Sequence, residues 1–108
     1  MALPLRWSPE AVEDVEAIAE YIARDSSSYA CSVVSRIMAA AKNIAEFPFS
    51  GRTVPEIGDR SIREHLIFSY RLVYRVDPAH VTLLAVIHGK QLLKNSIAEL
   101  GEPQRPDR

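Results

Sequence analysis

The sequence is short of several features, and each shortage excludes a class of protein. It has a single cysteine, Cys31, which excludes an internal disulfide framework and is typical of a reducing compartment. No apolar run approaches the roughly 20 residues that a membrane-spanning helix needs. Residues 1–7 lack the basic region and apolar stretch of a signal peptide. We therefore expect a cytoplasmic protein with no membrane segment.

An excess of charge of one sign is also missing. The 108 residues carry a formal net charge of -1, and 47% of them are hydrophobic. This length and composition predict one compact domain over residues 1–100, followed by a frayed tail over 101–108. Residues 1–50 hold seven acidic and four basic side chains, whereas residues 51–94 hold seven basic and four acidic ones. A polyanionic partner would therefore contact the second half.

Two amphipathic helices are predicted in the first half. Ser8-Pro9-Glu10 is typical of a helix start, because serine caps free amides and proline suits the first helical position. Ser26–Ser28 supply the cap of a second helix, whose apolar stripe ends at Phe47-Pro48. So short a connection predicts an antiparallel hairpin. We expect Cys31 and Met38 to lie in or near the core.

The rest of the chain favours β-structure. Pro4 suits an edge position for a short strand over residues 3–7, and residues 49–60 read as a loop. Three further strands are predicted, at 61–67, 70–76 and 81–88. Residues 90–100 read as a short helix or an added strand. The order β-α-α-β-β-β predicts an α+β fold of two layers, with a helical hairpin packed on a mainly antiparallel sheet.

The turn at Pro78-Ala79 predicts how the last two strands pair. In a regular ladder, one face of this hairpin is wholly apolar and packs on the helices. Its members are Tyr70, Leu72, Tyr74, Val76, Val81, Leu83, Ala85 and Ile87. The same register makes Arg71 and His88 diagonal neighbours on the other face. Such a pair could hold a phosphate and move a proton, or the arginine could pair with a carboxylate and the histidine cap a carbonyl.

Four segments together resemble a known family. They read SPEAVEDVEAIAEYIA, GRTVPEIGDRSIREHLI, SYRLVYRVD and VTLLAVIHGK. Their order and spacing resemble the RelE/ParE superfamily of toxins from bacterial type II toxin–antitoxin systems, over roughly residues 3–93. The loop from Gly51 to Glu56, Ile62–Glu64 and Ile87–Lys90 look closest to the ParE-like branch, often labelled plasmid stabilisation proteins. The resemblance implies the same two-layer fold.

The resemblance implies two alternative activities. ParE-like toxins poison DNA gyrase, block replication and need no catalytic set. RelE-like toxins are ribosome-dependent endoribonucleases (mRNA interferases), and their base, cation and acid match Glu56, Arg71 and His88 by position. The sequence lacks the dense lysines and late tyrosine of many RelE-like nucleases, which favours the gyrase reading.

The resemblance also implies a partner. Toxins of this group bind a small antitoxin whose flexible segment folds around them, and we expect such a complex, with a heterotetramer as one possible assembly. The candidate target-binding residues are Arg63, His65, Arg75 and Lys90. No cofactor is expected, and no metal, because the three histidines lie on different predicted elements.

Overall fold

Two helices cover one face of a five-stranded sheet in the computed structural model, which describes residues 2–89. The elements are β1 (Leu5–Trp7), α1 (Pro9–Ala23), α2 (Ser27–Glu46), β2 (Arg52–Thr53), β3 (Ile62–Ile67), β4 (Tyr70–Val76) and β5 (Val81–His88). The sheet order is β1-β5-β4-β3-β2, antiparallel except for the β1–β5 pair. The predicted α+β architecture is confirmed.

Serine caps begin both helices, as predicted. The Ser8 hydroxyl accepts a hydrogen bond from the Ala11 amide at 3.0 Å, and Pro9 follows at the first helical position. The Ser26 hydroxyl accepts one from the Tyr29 amide at 3.1 Å. Each cap satisfies an amide that has no partner within its helix, so each fixes where the helix starts. Neither helix is long and apolar enough to cross a bilayer.

The main core lies between the helices and the sheet, and it corrects one expectation. Cys31 and Met38 are exposed on α2 rather than buried. The buried positions of α2 are Ala30, Val33, Ile37, Ala40, Ala41, Ile44 and Ala45. Cys31 and Met38 each follow a member of this stripe by one position, which turns a side chain by about 100° around the helix. They therefore lie beside the buried face instead of on it.

A β-bulge between β4 and β5 corrects the predicted register. Tyr74 pairs with Leu83, as expected, but Val73 pairs with Ala85, so Leu84 is an extra residue on β5. From that point the faces of β5 are exchanged relative to β4, because side chains alternate along a strand. Ala85 and Ile87 consequently join the face turned away from the helices.

The ends of the sheet differ from the prediction in one respect. Residues 49–60 contain a short strand, β2, which pairs with β3 through Arg52 and Thr53 at one edge. β1 forms the opposite edge, where Pro4 is tolerated. The expected tail over 101–108 and the helix or strand over 90–100 lie outside the described residues.

Candidate functional site

An ion cluster lies on the outer face, the face of the sheet turned away from the helices. Its centre is Glu64, whose side chain is 0% exposed. One Glu64 oxygen accepts a hydrogen bond from Arg52 Nε at 2.5 Å, and the other accepts one from Arg71 Nε at 2.6 Å. Because a buried carboxylate needs charge compensation, these two arginines hold Glu64 in the sheet.

Arg71 binds a second carboxylate on its far side. Its two terminal nitrogens donate to the two oxygens of Glu56, at 3.1 and 3.2 Å. This hydrogen bonding to Arg71 lowers the pKa of the Glu56 carboxyl, and the same contact raises the pKa of the Arg71 guanidinium. Glu56 therefore stays ionised at neutral pH.

A turn over residues 54–58 brings Glu56 to this place. The amides of Ile57 and Gly58 both donate to the Val54 carbonyl, and Gly58 has a φ of 75°, which favours glycine. Val54 is fully buried, and Ile57 packs beside it in a second hydrophobic cluster. The other members of that cluster are Ile62, Val73, Leu84, Ala85 and Ile87. The turn thus covers the outer face, and Arg71 is only 7% exposed beneath it.

A cleft of about 460 Å³ opens beside the ion cluster at one end of the sheet. It is lined by Arg52, Pro55, Glu56, Leu66, Phe68, Ser69, Tyr70, Arg71 and Gly89. Phe68 and Leu66 are both more than half exposed there. The cleft combines guanidinium groups with apolar and aromatic walls.

His88 does not lie beside Arg71, so the predicted Arg71–His88 pair is wrong. The bulge pairs His88 with Tyr70 and Arg71 with Ile87, which places the imidazole and the guanidinium on opposite faces. The rings of His88 and Tyr70 meet edge to face, with 5.9 Å between centroids. Of the three candidate catalytic residues, the structure brings together only Arg71 and Glu56. Glu56 pairs with Arg71 rather than with a loop arginine.

The candidate target-binding residues are divided between the two faces. Arg63 and His65 lie on the helix side of β3, opposite Tyr74 and Leu72. Arg63 donates to the Gly51 carbonyl at 2.9 Å, and its guanidinium lies 4.8 Å from the Phe49 ring centroid. The outer face carries Arg75, which is opposite Ile62. The fourth candidate, Lys90, lies outside the described residues.

Sequence reasoning missed Glu64 and Arg52. One signal was present, since positions 62, 64 and 66 of β3 share a face and read Ile, Glu and Leu. A charged residue in the apolar phase of a strand indicates a buried charge with partners. Among residues 2–89, no group of three or more His, Cys, Asp or Glu side chains could hold a metal ion. The absence of a metal and of a cofactor stays a prediction.

Comparison with known proteins identifies the family. Residues 5–93 match the family described as the ParE toxin of the type II toxin–antitoxin system, parDE. The chain belongs to this family, and so to the RelE/ParE superfamily of toxins.

Individual relatives agree with this assignment. A Sinorhizobium fredii (strain NBRC 101917 / NGR234) protein named "Putative toxin Y4kP" is 34% identical over 89 residues, which span 81% of this chain and 88% of that protein. A structure of the chromosomal ParDE toxin–antitoxin system from P. aeruginosa has the same fold, with a TM-score of 0.68 and 19% identity over 81% of this chain and 96% of that one. The Mycobacterium tuberculosis toxin–antitoxin complex RelBE2 matches with a TM-score of 0.60 and 18% identity, over 82% of this chain and 99% of that one.

Proposed function

We propose that this toxin inhibits DNA gyrase and is neutralised by a cognate antitoxin. The observation that carries the proposal is the match of residues 5–93 to the ParE toxin family. The cleft supports it from the chemical side. Arg71, one of the two arginines that line it, is paired with two carboxylates, and His88 lies on the other face of the sheet, so the catalytic set of a nuclease is not assembled there.

The alternative is a metal-independent ribonuclease, but the observed positions of the candidate residues match its requirements poorly. Attack of a ribose 2′-hydroxyl on phosphorus needs a base, a cation and an acid around one phosphate. Glu56 is held ionised by Arg71, and its lowered pKa makes it a weak base. The candidate acid, His88, lies on the other face of the sheet. What favours this alternative is the position of Arg71 and Glu56 in one cleft.

The proposal of an antitoxin partner rests on the structural relatives and on the surface features of this chain. Both structural relatives described above are toxin–antitoxin systems. In this chain, two apolar grooves run along the helical layer, and within residues 2–89 β1 is an edge strand beside which a further strand could pair. A disordered antitoxin segment that folds on binding would cover such surfaces. We further propose that toxin and antitoxin assemble as a heterotetramer.

Induction in bacteria without an antitoxin tests the target. A gyrase poison should induce the DNA damage response and filamentation while transcripts stay intact, and the purified chain should block supercoiling of a plasmid by gyrase. His88→Ala and the matched control His80→Ala should leave these effects unchanged, since neither imidazole acts in this reading.

Rapid, codon-phased cleavage of transcripts would contradict the gyrase proposal. If His88→Ala abolished that cleavage and His80→Ala did not, the protein would be a nuclease. His80 is a suitable control because it lies 3.3 Å from Asp77 in the β4–β5 turn, away from the cleft.

A further inference from the structure

The guanidinium of Arg71 is oriented by one carboxylate, that of Glu64, and its terminal nitrogens are paired with a second, that of Glu56. Glu64 binds the Nε side, and its side chain has no exposed surface. Glu56 accepts from both terminal nitrogens through both of its oxygens. Two parallel N–H donors meeting two oxygens is the geometry by which arginine binds phosphate as well as carboxylate. Glu56 therefore occupies a position that an external anion would fit.

The two glutamates differ in how easily their side chains can separate from Arg71. Glu64 is in the middle of β3 and is wrapped by Arg52 and Arg71. Glu56 is 29% exposed at its side chain, and the turn that carries it is fixed by hydrogen bonds from the Ile57 and Gly58 amides to the Val54 carbonyl and by packing of Ile57. Rotation of the Glu56 side chain would release Arg71 without unfolding the turn. Glu56 is thus the exchangeable partner.

Charge and size indicate what replaces it. The two arginines and two glutamates of the cluster cancel one another, so the departure of Glu56 leaves a net positive charge beside the cleft. The cleft, about 460 Å³, is much larger than a carboxylate. Arg52, 63% exposed at its side chain, and Ser69 also line it and could donate to further oxygens.

We propose that Arg71 and Arg52 form a phosphate-binding site, that Glu56 fills it as an internal anion, and that an external phosphate binds by displacing Glu56. Glu56 is then a latch rather than a base. This inference does not depend on whether gyrase is the target, because the site is defined by the groups that form it.

Titration of the full-length chain with inorganic phosphate tests the latch. Binding would be followed by the ¹⁵N NMR signals of the arginine side chains in the wild type, Glu56→Gln and Glu56→Ala. If Glu56 closes the site about nine-tenths of the time, its removal should lower the apparent Kd for phosphate about tenfold. Glu46→Gln, at the end of α2, removes the same charge away from the cleft and should leave the Kd within about twofold of the wild type.

Two further arms identify the ligand and the site. A dinucleoside monophosphate shows whether the gain extends to a phosphodiester or is limited to free phosphate, and either result supports the site. Adding Arg71→Lys to Glu56→Gln keeps a cation beside Glu64 but removes the two parallel N–H donors of the guanidinium. The higher phosphate affinity of Glu56→Gln should then disappear. If that double variant does not fold, changes in Glu56→Gln that are confined to the side-chain signals of Arg71 and Arg52 serve the same purpose.

The proposal is overturned by either of two results. One is an equal phosphate Kd in the wild type and in both Glu56 variants. The other is the same gain in Glu46→Gln, since it would show that overall charge, and not the latch, controls anion binding.

Discussion

At the scale of single residues, surroundings decide what a charged group does. Arg71 and Arg75 lie four positions apart on the same face of β4, with Val73 between them. Arg75 is half-buried, whereas Arg71 is 7% exposed and binds two carboxylates. The turn over residues 54–58 produces this difference by covering Arg71. Because its guanidinium is enclosed in this way, we expect Arg71 to support the fold.

We predict that Arg71→Ala destabilises the fold. The substitution leaves the buried Glu64 carboxylate with Arg52 as its remaining cation, and breaking a buried pair in this way costs about 3–5 kcal/mol. Urea denaturation would measure the free energy of unfolding. Arg60→Ala, an exposed arginine in the loop before β3, serves as the control and should change it by less than about 0.5 kcal/mol. An Arg71→Ala variant as stable as this control would show that the cluster does not support the fold.

At the scale of elements, the bulge on β5 decides which side chains of that strand face the helices and which lie on the outer face. α1 supports it from the helix side, because the Ser8 hydroxyl donates to the Leu84 carbonyl at 3.1 Å. The Val86 amide donates to the Asp14 carboxylate at 2.9 Å. Burial raises the pKa of the Asp14 carboxyl, more than the bond from Val86 lowers it. The irregular strand is thereby fixed against the helix by two side chains.

Two substitutions of Asp14 should have opposite effects on stability. Asp14→Ala leaves the buried Val86 amide without its acceptor, which costs about 1–3 kcal/mol. Asp14→Asn keeps an acceptor and removes the charge, so it should equal or exceed the wild type at pH 7. Unfolding in urea at several pH values would measure both.

The pH dependence of the Asp14 variants follows from the direction of the shift. A raised pKa means that the folded state binds this proton more tightly than the unfolded state does. The contribution of Asp14 is therefore most favourable below the ordinary pKa of an aspartate, 3.8, and is lost as the pH rises through the raised pKa of the folded state. The advantage of Asp14→Asn should shrink as the pH falls from 7 towards 4. An advantage that grew on acidification would contradict this account.

The elements were predictable from the sequence because their signals are local. Ser8 and Ser26 caps, the apolar stripes and the Pro78 turn each depend on neighbouring residues, and the helices and three long strands follow from them. The bulge was not predictable, because Leu84 reads like any other apolar residue of β5. It is stabilised by contacts from Ser8 and Asp14, which are more than 70 positions away in the chain.

The site could be predicted from the sequence only in part, because its geometry depends on contacts between residues that are distant in the chain. Arg71 and Glu56 were singled out, and they do meet in one cleft. The partnership of Arg71 with His88 failed, since it depended on a regular register that the bulge breaks. The role of Glu64 was not predicted, because its burial is produced by the turn over residues 54–58, which folds over the sheet.

At the scale of the whole molecule, the two layers differ in chemistry. The ion cluster and its cleft belong to the outer face of the sheet, whereas the helical layer offers apolar grooves bordered by acidic side chains. One groove, of about 330 Å³, is lined by Trp7, Val12, Val15, Glu16 and Met38. Met38 is 48% exposed in it. Such a surface suits a partner that covers it, and the proposed antitoxin is that partner.

This division predicts that neutralisation and toxicity can be separated. Met38→Glu places a charge in the groove, where binding of an antitoxin would bury it, so the affinity for the antitoxin should fall more than tenfold. Stability and toxicity should persist, because Met38 lies outside the buried stripe of α2 and on the layer opposite the cleft. Ala39→Glu introduces the same charge one position along, at an exposed residue that does not line the groove, and should bind the antitoxin as the wild type does. Calorimetric titration with the cognate antitoxin would measure the affinity, and growth on co-induction would measure neutralisation. If Met38→Glu remained fully neutralised, the antitoxin would have to bind elsewhere, beside β1 or across the sheet.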